Sequence, residues 1–417
     1  MHDQMIVVGG GLAGLAAAAK LGRAGRRVTV LEAAGGLGGR ARSDVTEGFT
    51  RNLGPHALYL GGAGLRVLRG LGIDPPGGVP DLAGMVVFEG ALHPGVFTPR
   101  QVAGSGLLGW RDRLALARFL AGLRGVETAG RTQREWLDSA RLTPRARLVV
   151  ELLVRTSSYA DAPESVAAAA VAGQLRLALQ GVRYLDGGWV TMVAALRGEA
   201  ERVGVTVRTG TRVVAVEEEG VGGPVVQTAD GREHPAGGVV VAAGGPRGLA
   251  RLTGAAALQP VPAALATLDV ALRRLPRPSP TLVLGLDVPL YLSVHSAAAA
   301  LAPAGGAVIH VARYLGAAQP DPARHRAELE GLLNAAQPGW RDELVAARFL
   351  PDLAAMTALP LAADGGLPAR PPVRTALAGV RVAGDWVGRE GLLADASLAS
   401  ATLAADSLLA ERSAAAA

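Results

Sequence analysis

The sequence predicts an α/β protein built around a parallel sheet, and three observations near the start of the chain predict it. The short apolar run Met5–Val8 is typical of a buried parallel strand, and the alanine-rich stretch Gly14–Leu21 is typical of the helix that follows it. A second strand, Arg27–Leu31, ends in the acid Glu32. The turn between the first strand and the helix is rich in glycine and contains Gly9, Gly11 and Gly14.

These glycines and the acid have the spacing of a Rossmann-like unit that binds a dinucleotide. Gly9 permits the tight turn, Gly11 lets the backbone approach a pyrophosphate, and Gly14 allows the helix to pack closely on the strand. The phosphates then lie at the N-terminus of the helix. Glu32 is placed to accept hydrogen bonds from both hydroxyls of an adenosine ribose, which argues against NADP. The alternative is a glycine-rich turn that binds no ligand.

Composition narrows the class of protein. At 417 residues and 49% hydrophobic content, the chain is long enough for two domains with ordinary cores. The net charge of +6 comes from arginines that form no basic stripe with interleaved aromatics, so we predict no nucleic-acid partner. The absence of cysteine excludes disulfides, thiolate metal sites and a thioether link to a cofactor. We predict no metal site.

Neither the N-terminal residues nor the longest uncharged stretch has the pattern of a segment that inserts into a membrane. The first residues lack the basic segment and apolar core of a signal peptide, so the default expectation is a cytoplasmic location. The longest stretch without Asp, Glu, Lys or Arg, Val288–Ala312, contains two prolines, two glycines and two histidines. We expect two strands and a turn there rather than a membrane span.

A second glycine cluster follows Glu32, and a plain NAD-binding unit has no need of it. Five residues separate the acid from Gly38, Gly39 and Arg40. A glycine turn lets backbone amides approach a second phosphate while a guanidinium neutralises it, and we assign that contact to Arg40, with Arg42 as a second candidate. This segment resembles the large superfamily of flavin amine oxidases, protoporphyrinogen oxidases and phytoene-type desaturases. The resemblance implies that the dinucleotide is FAD.

The segment "NLGPHALYL", residues 52–60, resembles the superfamily strand that runs beneath the flavin ring. The resemblance implies that Gly54 and Pro55 bring the backbone against the isoalloxazine. His56 follows directly and is our candidate for a catalytic or substrate-polarising group. The alternative for this histidine is a structural hydrogen bond beside the proline turn.

The segment Tyr184–Gly220 is similar to the superfamily's return crossing into the cofactor domain. We expect a helix over 190–202, followed by strands at Thr206–Arg208 and Arg212–Glu217. The resemblance implies that the backbone of Val213 pairs with adenine. The apolar run Gly237–Pro246 then resembles the last buried strand of that domain.

The segment Val380–Ala410 completes the resemblance. A buried strand leads to Gly384 and Asp385, and Asp385 corresponds to the acid that binds a ribityl hydroxyl. Leu393 and Ala394 occupy the start of the next helix, whose amides can stabilise negative charge on a reduced flavin. Asp395 is an unusual charge at this turn, and its simplest interpretation is an N-cap. The four segments together predict one extended, noncovalently bound FAD.

The predicted organisation is a glutathione-reductase-like FAD-binding domain with a discontinuous α+β substrate domain. The FAD-binding domain takes residues 1–90, 183–251 and 373–417, and the substrate domain takes 91–182 and 252–372. In the second domain we expect a mixed sheet with a helical layer. Its predicted helices and strands are helix 133–140 capped by Thr132, helices Arg145–Arg155, Glu164–Leu179 and Asp321–Ala335, and strands Thr281–Leu284, Leu290–Val294 and Ala307–Arg313.

Residues Leu107–Gly125 combine leucines, Trp110 and Phe119 with arginines at helical spacing. Such a basic amphipathic helix suits peripheral contact with a membrane, through which superfamily members with lipid-soluble substrates often dock. The alternative is a surface helix whose apolar face packs on the core.

The chemistry is predicted from what the site lacks. Many amine oxidases of the superfamily hold a water near the flavin with a lysine, yet Lys20 is the single lysine here and lies in the first cofactor helix. Aromatic residues make up only 4% of the chain, which is few for an amine cage. We therefore expect an FAD-dependent dehydrogenase or desaturase acting on an apolar or polyene-like substrate. The alternatives are an amine or porphyrinogen oxidase, and a non-redox isomerase or accessory flavoprotein.

Overall fold

The computed structural model describes residues 4–123, 128–219, 223–256, 258–316 and 321–416. Side chains are described in these ranges except for residue 219 and residues 412–416. The helices found in this part of the chain are α1 (Leu12–Arg23), α2 (Ala63–Gly70), α3 (Pro99–Gly104), α4 (Trp110–Gly122), α5 (Gln133–Ser139), α6 (Pro144–Ser158), α7 (Ala168–Ala178), α8 (Trp189–Arg202), α9 (Gly245–Thr253), α10 (Pro322–Ala336) and α11 (Leu393–Ala416).

The strands of the described ranges fall into several sheets. They are β1 (Gln4–Val8), β2 (Arg27–Leu31), β3 (Ser43–Thr46), β4 (Phe49–Asn52), β5 (Leu58–Tyr59), β6 (Gly77–Gly78), β7 (Met85–Phe88), β8 (Ala91–Pro94), β9 (Val182–Leu185), β10 (Thr206–Arg208), β11 (Val213–Glu219), β12 (Gly223–Thr228), β13 (Glu233–Pro235), β14 (Gly238–Val241), β15 (Ala263–Leu272), β16 (Leu282–Gly285), β17 (Leu290–Val294), β18 (Ala307–Leu315), β19 (Leu344–Met356) and β20 (Val380–Val382).

The first sheet is parallel and has the strand order β10-β2-β1-β14-β20. Its central strands are buried apolar runs, as expected for a parallel sheet that is covered on both faces. Helix α1 packs between α8 and α11 on one face. The antiparallel sheet β11-β12-β13 and the start of α9 pack on the other face. The carboxyl ends of β1, β2 and β20 therefore meet at one edge.

The second large sheet is mixed and has the order β19-β15-β18-β17-β16-β7-β8. Its pairs are antiparallel except for β7 with β16. Helix α10 covers one face, and helices α4 to α7 form the layer on the other face. The predicted mixed sheet with a helical layer is thus present. Strands β7 and β8 form a hairpin in this sheet, and the predicted domain boundary at residue 90 falls between them. The predicted domain ranges stay a prediction.

Most predicted elements are found with shifted ends. Strand β10 and strand β17 have the predicted bounds, and α8 begins one residue earlier than expected. The uncharged stretch 288–312 forms β17, a turn and most of β18, as predicted. Helix α7 begins only at Ala168, because Val166 and Ala167 make β-bridges to other segments. No helix in the described ranges is long and apolar enough to cross a membrane.

The predicted strand over residues 52–60 is wrong in its centre. Strand β4 ends at Asn52, β5 begins at Leu58, and the intervening residues form a loop. Gly54 has a φ of +74°, outside the extended range of a strand. Pro55 has no backbone N–H to donate to a neighbouring strand. The loop runs between the two large sheets and carries His56.

Candidate functional site

The glycine turn after β1 is constrained by packing at two of its three glycines. Gly9 has a φ of +107°, and a Cβ there would lie 2.7 Å from the Ala242 carbonyl oxygen. A Cβ on Gly14 would lie 1.9 Å from the Gly9 carbonyl oxygen, so only glycine lets α1 approach the strand. A Cβ on Gly11 would meet no atom closer than 4.0 Å. Gly11 is therefore not required by the protein's own packing, and it lines a cavity, where a ligand can come close to its backbone.

The second glycine cluster lies directly against the first. The Gly38 N–H donates to the Gly10 carbonyl oxygen at 2.8 Å, and Gly11 and Gly38 form a parallel β-bridge. Gly38 and Gly39 both have positive φ values, 109° and 55°. The first turn of α1 has no side-chain cap. Its free amides and the two glycine turns make a cradle suited to phosphate oxygens.

Glu32 is held at the end of β2 by two backbone amides. Its Oε2 accepts from the Gly10 N–H and its Oε1 accepts from the Ala34 N–H, both at 2.7 Å. Each carboxylate oxygen keeps a second lone pair. Because Glu32 lines the same cavity as Gly11, both ribose hydroxyls can donate to it without displacing these bonds.

Asp385 fits the predicted ribityl contact. Its Oδ2 accepts from Arg40 Nη1 and from the Thr357 N–H, each at 2.8 Å, while its Oδ1 has no partner among the described residues. Burial opposes ionisation of Asp385, but the charge and hydrogen bond of Arg40 outweigh it, so the pKa of this carboxyl lies below its ordinary value. A buried, ionised oxygen without a partner requires a donor, and a ribityl hydroxyl can supply it.

The two predicted phosphate arginines differ in their surroundings. Arg40 bonds Asp385 and donates to the Ala355 carbonyl oxygen at 3.2 Å, while 42% of its side chain stays exposed. Arg42 donates through Nε to the Gly39 carbonyl oxygen at 3.0 Å. Both line the cavity. The contacts of both arginines with phosphate stay predictions. The ion pair between Arg40 and Asp385 was not expected from the sequence.

His56 lies against Trp189 at the inner end of the cavity. Their ring centroids are 4.6 Å apart, and His56 Nδ1 is 3.1 Å from the Gly54 carbonyl oxygen. Burial lowers the pKa of His56 to about 4, so the ring is neutral at pH 7. Pro55 lines the cavity beside it. His56 thus makes the structural hydrogen bond of the alternative interpretation and also faces the cavity, so its catalytic role stays a prediction.

A buried ion-pair network holds the loop before His56. Asp269 Oδ2 accepts from the Gly54 N–H at 3.1 Å and from Arg348 Nη2 at 2.7 Å. Its Oδ1 lies 2.7 Å from His310 Nδ1. Burial raises the pKa of Asp269, but His310 and Arg348 outweigh burial and hold that pKa below its ordinary value. Sequence reasoning missed this network, because its members come from separate strands of the second sheet and follow no motif.

The start of α11 lies at the same cavity as His56. Leu393 has a φ of +56°, and Leu393 and Ala394 both line the cavity, as expected for residues whose amides face a flavin. Asp395 does not cap its own helix. Its Oδ1 accepts from the Gly64 N–H at 2.6 Å and so caps the first turn of α2, whose N-cap residue Gly62 has no side chain. The structure therefore shows Asp395 as a cap, as the simplest interpretation has it, and identifies α2 as the helix that it caps.

Val213 lies apart from the other predicted residues. It begins β11 and is buried, with an irregular register against β12 just after it. It is not among the described residues that line the cavity, so its contact with adenine stays a prediction. Gly14 and Gly54 also lie behind the lining and act through backbone packing.

One cavity of about 640 Å³ unites the remaining predicted residues. It runs along the carboxyl edge of the parallel sheet and continues between the two large sheets. The predicted residues that line it are Gly9, Gly11, Glu32, Gly38, Gly39, Arg40, Arg42, Pro55, His56, Gly384, Asp385, Leu393 and Ala394. The cradle at Gly11, the free lone pairs of Glu32 and the unpaired Asp385 oxygen fit an extended dinucleotide such as FAD.

Comparison with known proteins agrees with this geometry. The family model described as flavin containing amine oxidoreductase matches residues 12–267, more than half of the chain. A curated relative, the hydroxyneurosporene desaturase of Cereibacter sphaeroides, is 28% identical over 273 residues. That match covers 57% of this chain and 55% of the relative, so it spans only about half the length of the relative.

Solved structures share the fold over nearly the whole chain. An oxidoreductase from Methanosarcina mazei has a TM-score of 0.77 at 20% identity, with 98% of this chain and 100% of that chain covered. A putative protoporphyrinogen oxidase from Exiguobacterium has a TM-score of 0.69 at 20% identity, with 98% and 99% covered. Cyclohexylamine oxidase from Brevibacterium oxydans has a TM-score of 0.70 at 17% identity, with 99% and 100% covered.

These matches confirm the predicted superfamily, the predicted fold class and the predicted FAD cofactor. The predicted class of enzyme, an FAD-dependent oxidoreductase, is confirmed at the level of the family. The chain belongs to the family of flavin containing amine oxidoreductases.

Proposed function

We propose that the protein is an FAD-dependent dehydrogenase that desaturates an apolar, polyene-like small molecule. The observation that carries the proposal is the lining of the inner end of the cavity beside His56. The lining of this cavity includes the aliphatic and aromatic residues Leu53, Tyr59, Tyr159, Leu265 and Leu353. No lysine is among the described residues that line the cavity. Lys20 pairs with Asp406 between α1 and α11 instead.

Desaturation requires few acid–base side chains in the protein. FAD, when bound, supplies a hydride acceptor. The substrate loses a hydride from one carbon and a proton from its neighbour, and a carbon–carbon double bond forms between them. The neutral His56 ring can orient the substrate or take up that proton at Nε2, the nitrogen that is not engaged with the Gly54 carbonyl oxygen, and the apolar walls exclude water. Asp269 and Arg348 act on this site by holding the loop that carries His56.

The relative that is named a desaturase supports this proposal over an amine oxidase. The solved structures named as amine oxidases support only the fold, because their identities are below 25%. An amine substrate would leave the aliphatic side chains Leu53, Leu265 and Leu353 without an obvious role. The alternatives nevertheless make distinct predictions in a single assay.

Anaerobic mixing of the purified, FAD-loaded protein with candidate substrates tests the proposal. We expect hydroxyneurosporene to bleach the visible absorption band of the flavin and to yield a product with one more double bond. Putrescine and cyclohexylamine serve as the amine controls and should leave the band unchanged. Bleaching by the amines alone would assign the protein to the amine oxidases. A rearranged polyene without any bleaching would assign it to the non-redox isomerases.

We further infer that α4 contacts an anionic lipid surface from which an apolar substrate can be taken up. One side of this helix packs on the core through Leu116 and Phe119. The other side presents Trp110 and Leu114, which are 69% and 41% exposed, together with arginines. Arg111 lies over the Trp110 ring, 5.3 Å from its centroid. An exposed aromatic residue among arginines suits the interface of a charged bilayer.

A further inference from the structure

A second cavity of about 640 Å³ lies beside the cofactor cavity. It is enclosed by the first turn of α2, the end of α4, helix α7 and the turn before α11. Asp395 lines both cavities, so the two meet at this residue. None of the residues predicted to bind FAD lines the second cavity.

Two buried polar groups in the lining of the second cavity lack hydrogen-bond partners among the described residues. Asp395 is 2% exposed, and its Oδ2 is unpaired although its Oδ1 caps α2. Gln174, on α7, is 3% exposed, and its amide nitrogen Nε2 is unpaired. Each group loses its hydrogen bonds to water on folding and forms no replacement bond in the protein, which destabilises the folded state. A ligand that bonds both would recover that free energy.

The two unpaired groups lie near the boundary between the cavities. Tyr59 lines the cofactor cavity, and it lies beside both groups. Burial raises the pKa of the Tyr59 hydroxyl, the nearby polar side chain of Gln174 opposes the rise, and the charge on Asp395 adds to it. A substrate that extends from the flavin region past Tyr59 therefore reaches Gln174 and Asp395.

The chemistry of the pair selects the class of ligand. Asp395 Oδ2 needs a donor, and Gln174 Nε2 needs an acceptor. A hydroxyl group does both, whereas a carbonyl or an ether only accepts and an ammonium group only donates. Arg66, Arg176 and Glu390 also lie in this lining, and Arg66 pairs with Glu390. The remaining lining is largely apolar and includes Leu123, Leu177 and Leu392.

We propose that the second cavity binds a hydroxyl-bearing end of an otherwise apolar substrate, with Asp395 as the hydrogen-bond acceptor and Gln174 as the donor. The proposal rests on the proposed function, because it requires the apolar part of the same molecule to lie over the flavin. It adds a specificity determinant that is separate from the chemistry at His56.

Binding of matched probes tests this subsite in the FAD-loaded, full-length protein. The probes are geranylgeraniol, a polyene alcohol, and the same hydrocarbon chain with hydrogen in place of the hydroxyl. Dissociation constants come from the change that each probe makes in the visible flavin spectrum. We expect the wild type to prefer the alcohol by about tenfold or more, the range of a hydrogen bond to a charged group. Gln174→Met should reduce that preference to roughly twofold or less.

Gln180→Met is the matched control. Gln180 lines the same cavity, but its amide nitrogen already donates to the Arg176 carbonyl oxygen at 3.4 Å. This variant should keep the wild-type preference for the alcohol. Asp395→Asn is the second test variant, because its side-chain oxygen can still accept from the Gly64 N–H while the acceptor at Oδ2 is lost. It should also lose the preference, and melting temperatures check that each variant folds.

Three outcomes would overturn the subsite. Equal affinity of the wild type for both probes, with a clear spectral change, removes the hydroxyl site and leaves the proposed apolar substrate standing. A preference that survives both Gln174→Met and Asp395→Asn removes the assignment of these two residues. Failure of both probes to bind the wild type, while FAD stays bound, overturns both this subsite and the proposed function.

Discussion

The stability of the folded protein depends on pH through Asp395, because this carboxyl is buried. Removal from water raises the pKa of this carboxyl to about 6, and the hydrogen bond from Gly64 and the charge on Arg66 only partly oppose that effect. In the unfolded chain the pKa of this carboxyl is near its ordinary value of 3.8. Between these two values the folded state binds more protons than the unfolded state, so stability falls as pH rises through this window.

Asp395→Asn should therefore gain stability relative to the wild type as the pH is raised from 4 to 7. The gain over this range is on the order of 3 kcal/mol, because one pKa unit corresponds to about 1.4 kcal/mol. The asparagine oxygen can keep the bond to the Gly64 N–H, so the cap on α2 is retained. Thermal unfolding of both proteins at equal FAD concentration measures the difference. A difference that stays constant with pH would show that Asp395 titrates normally.

At the residue scale, the sequence could identify the groups that follow a motif. Glu32, Asp385 and several of the glycines line one cavity, and their spacing along the chain was the signal that indicated them. Their phosphate and ribose contacts stay predictions. Asp269 and Gln174 could not be identified in this way, because their importance arises from partners far away in sequence or from the lack of any partner. The acid at Asp395 was visible in the sequence, but the helix that it caps was not.

At the element scale, the strands of the second sheet show where pattern reasoning fails. Strand β19 is the longest described strand, yet it was not predicted. It lies at the edge of its sheet, most of its residues are half-buried or exposed, and its pairing with β15 shifts register more than once. Such a strand shows no alternation of apolar and polar residues, and Pro351 further weakens the pattern.

Helix α4 gives a prediction at the scale of one element. Trp110→Glu should abolish cosedimentation with anionic lipid vesicles, because it removes the interfacial aromatic residue and adds a repelled charge. Trp110 is exposed, so the glutamate is not buried and the melting temperature and FAD content should not change. Val45→Glu, at a position 65% exposed on β3, is the control and should still cosediment. Vesicle binding by Trp110→Glu equal to that of the wild type would refute the membrane contact.

At the scale of the whole molecule, the site is assembled from segments that lie far apart in the chain. The parallel sheet joins β1, β14 and β20, so residues near positions 10, 240 and 385 meet at one edge. The mixed sheet adds β15 and β19 to the wall of the same cavity. The sequence predicted the first association, because the resemblance covers the cofactor segments. It could not predict the second, because no motif relates β15 and β19 to the cofactor turns.

The same assembly predicts how FAD is held. The contacts predicted for Gly11, Glu32, Asp385 and the start of α11 are all noncovalent, and the chain has no cysteine that could form a thioether. His56 is the single histidine among the described residues that line the cofactor cavity. Its Nδ1 lies 3.1 Å from the Gly54 carbonyl oxygen, so that nitrogen is engaged with the backbone. Among the described residues that line the cavity, we therefore expect no covalent attachment to FAD.

Acid precipitation of the purified protein should release all of the yellow colour into the supernatant. Added FAD should then raise the melting temperature of refolded or flavin-depleted protein in a concentration-dependent way, because a ligand that binds only the folded state stabilises it by mass action. Absorption spectra of the supernatant and of the dissolved pellet measure the partition. Colour that stays in the pellet of the wild type and disappears from the pellet of His56→Ala would identify His56 as a covalent attachment point. Colour in the pellet of both proteins would place the attachment at a residue outside the contacts described for this site.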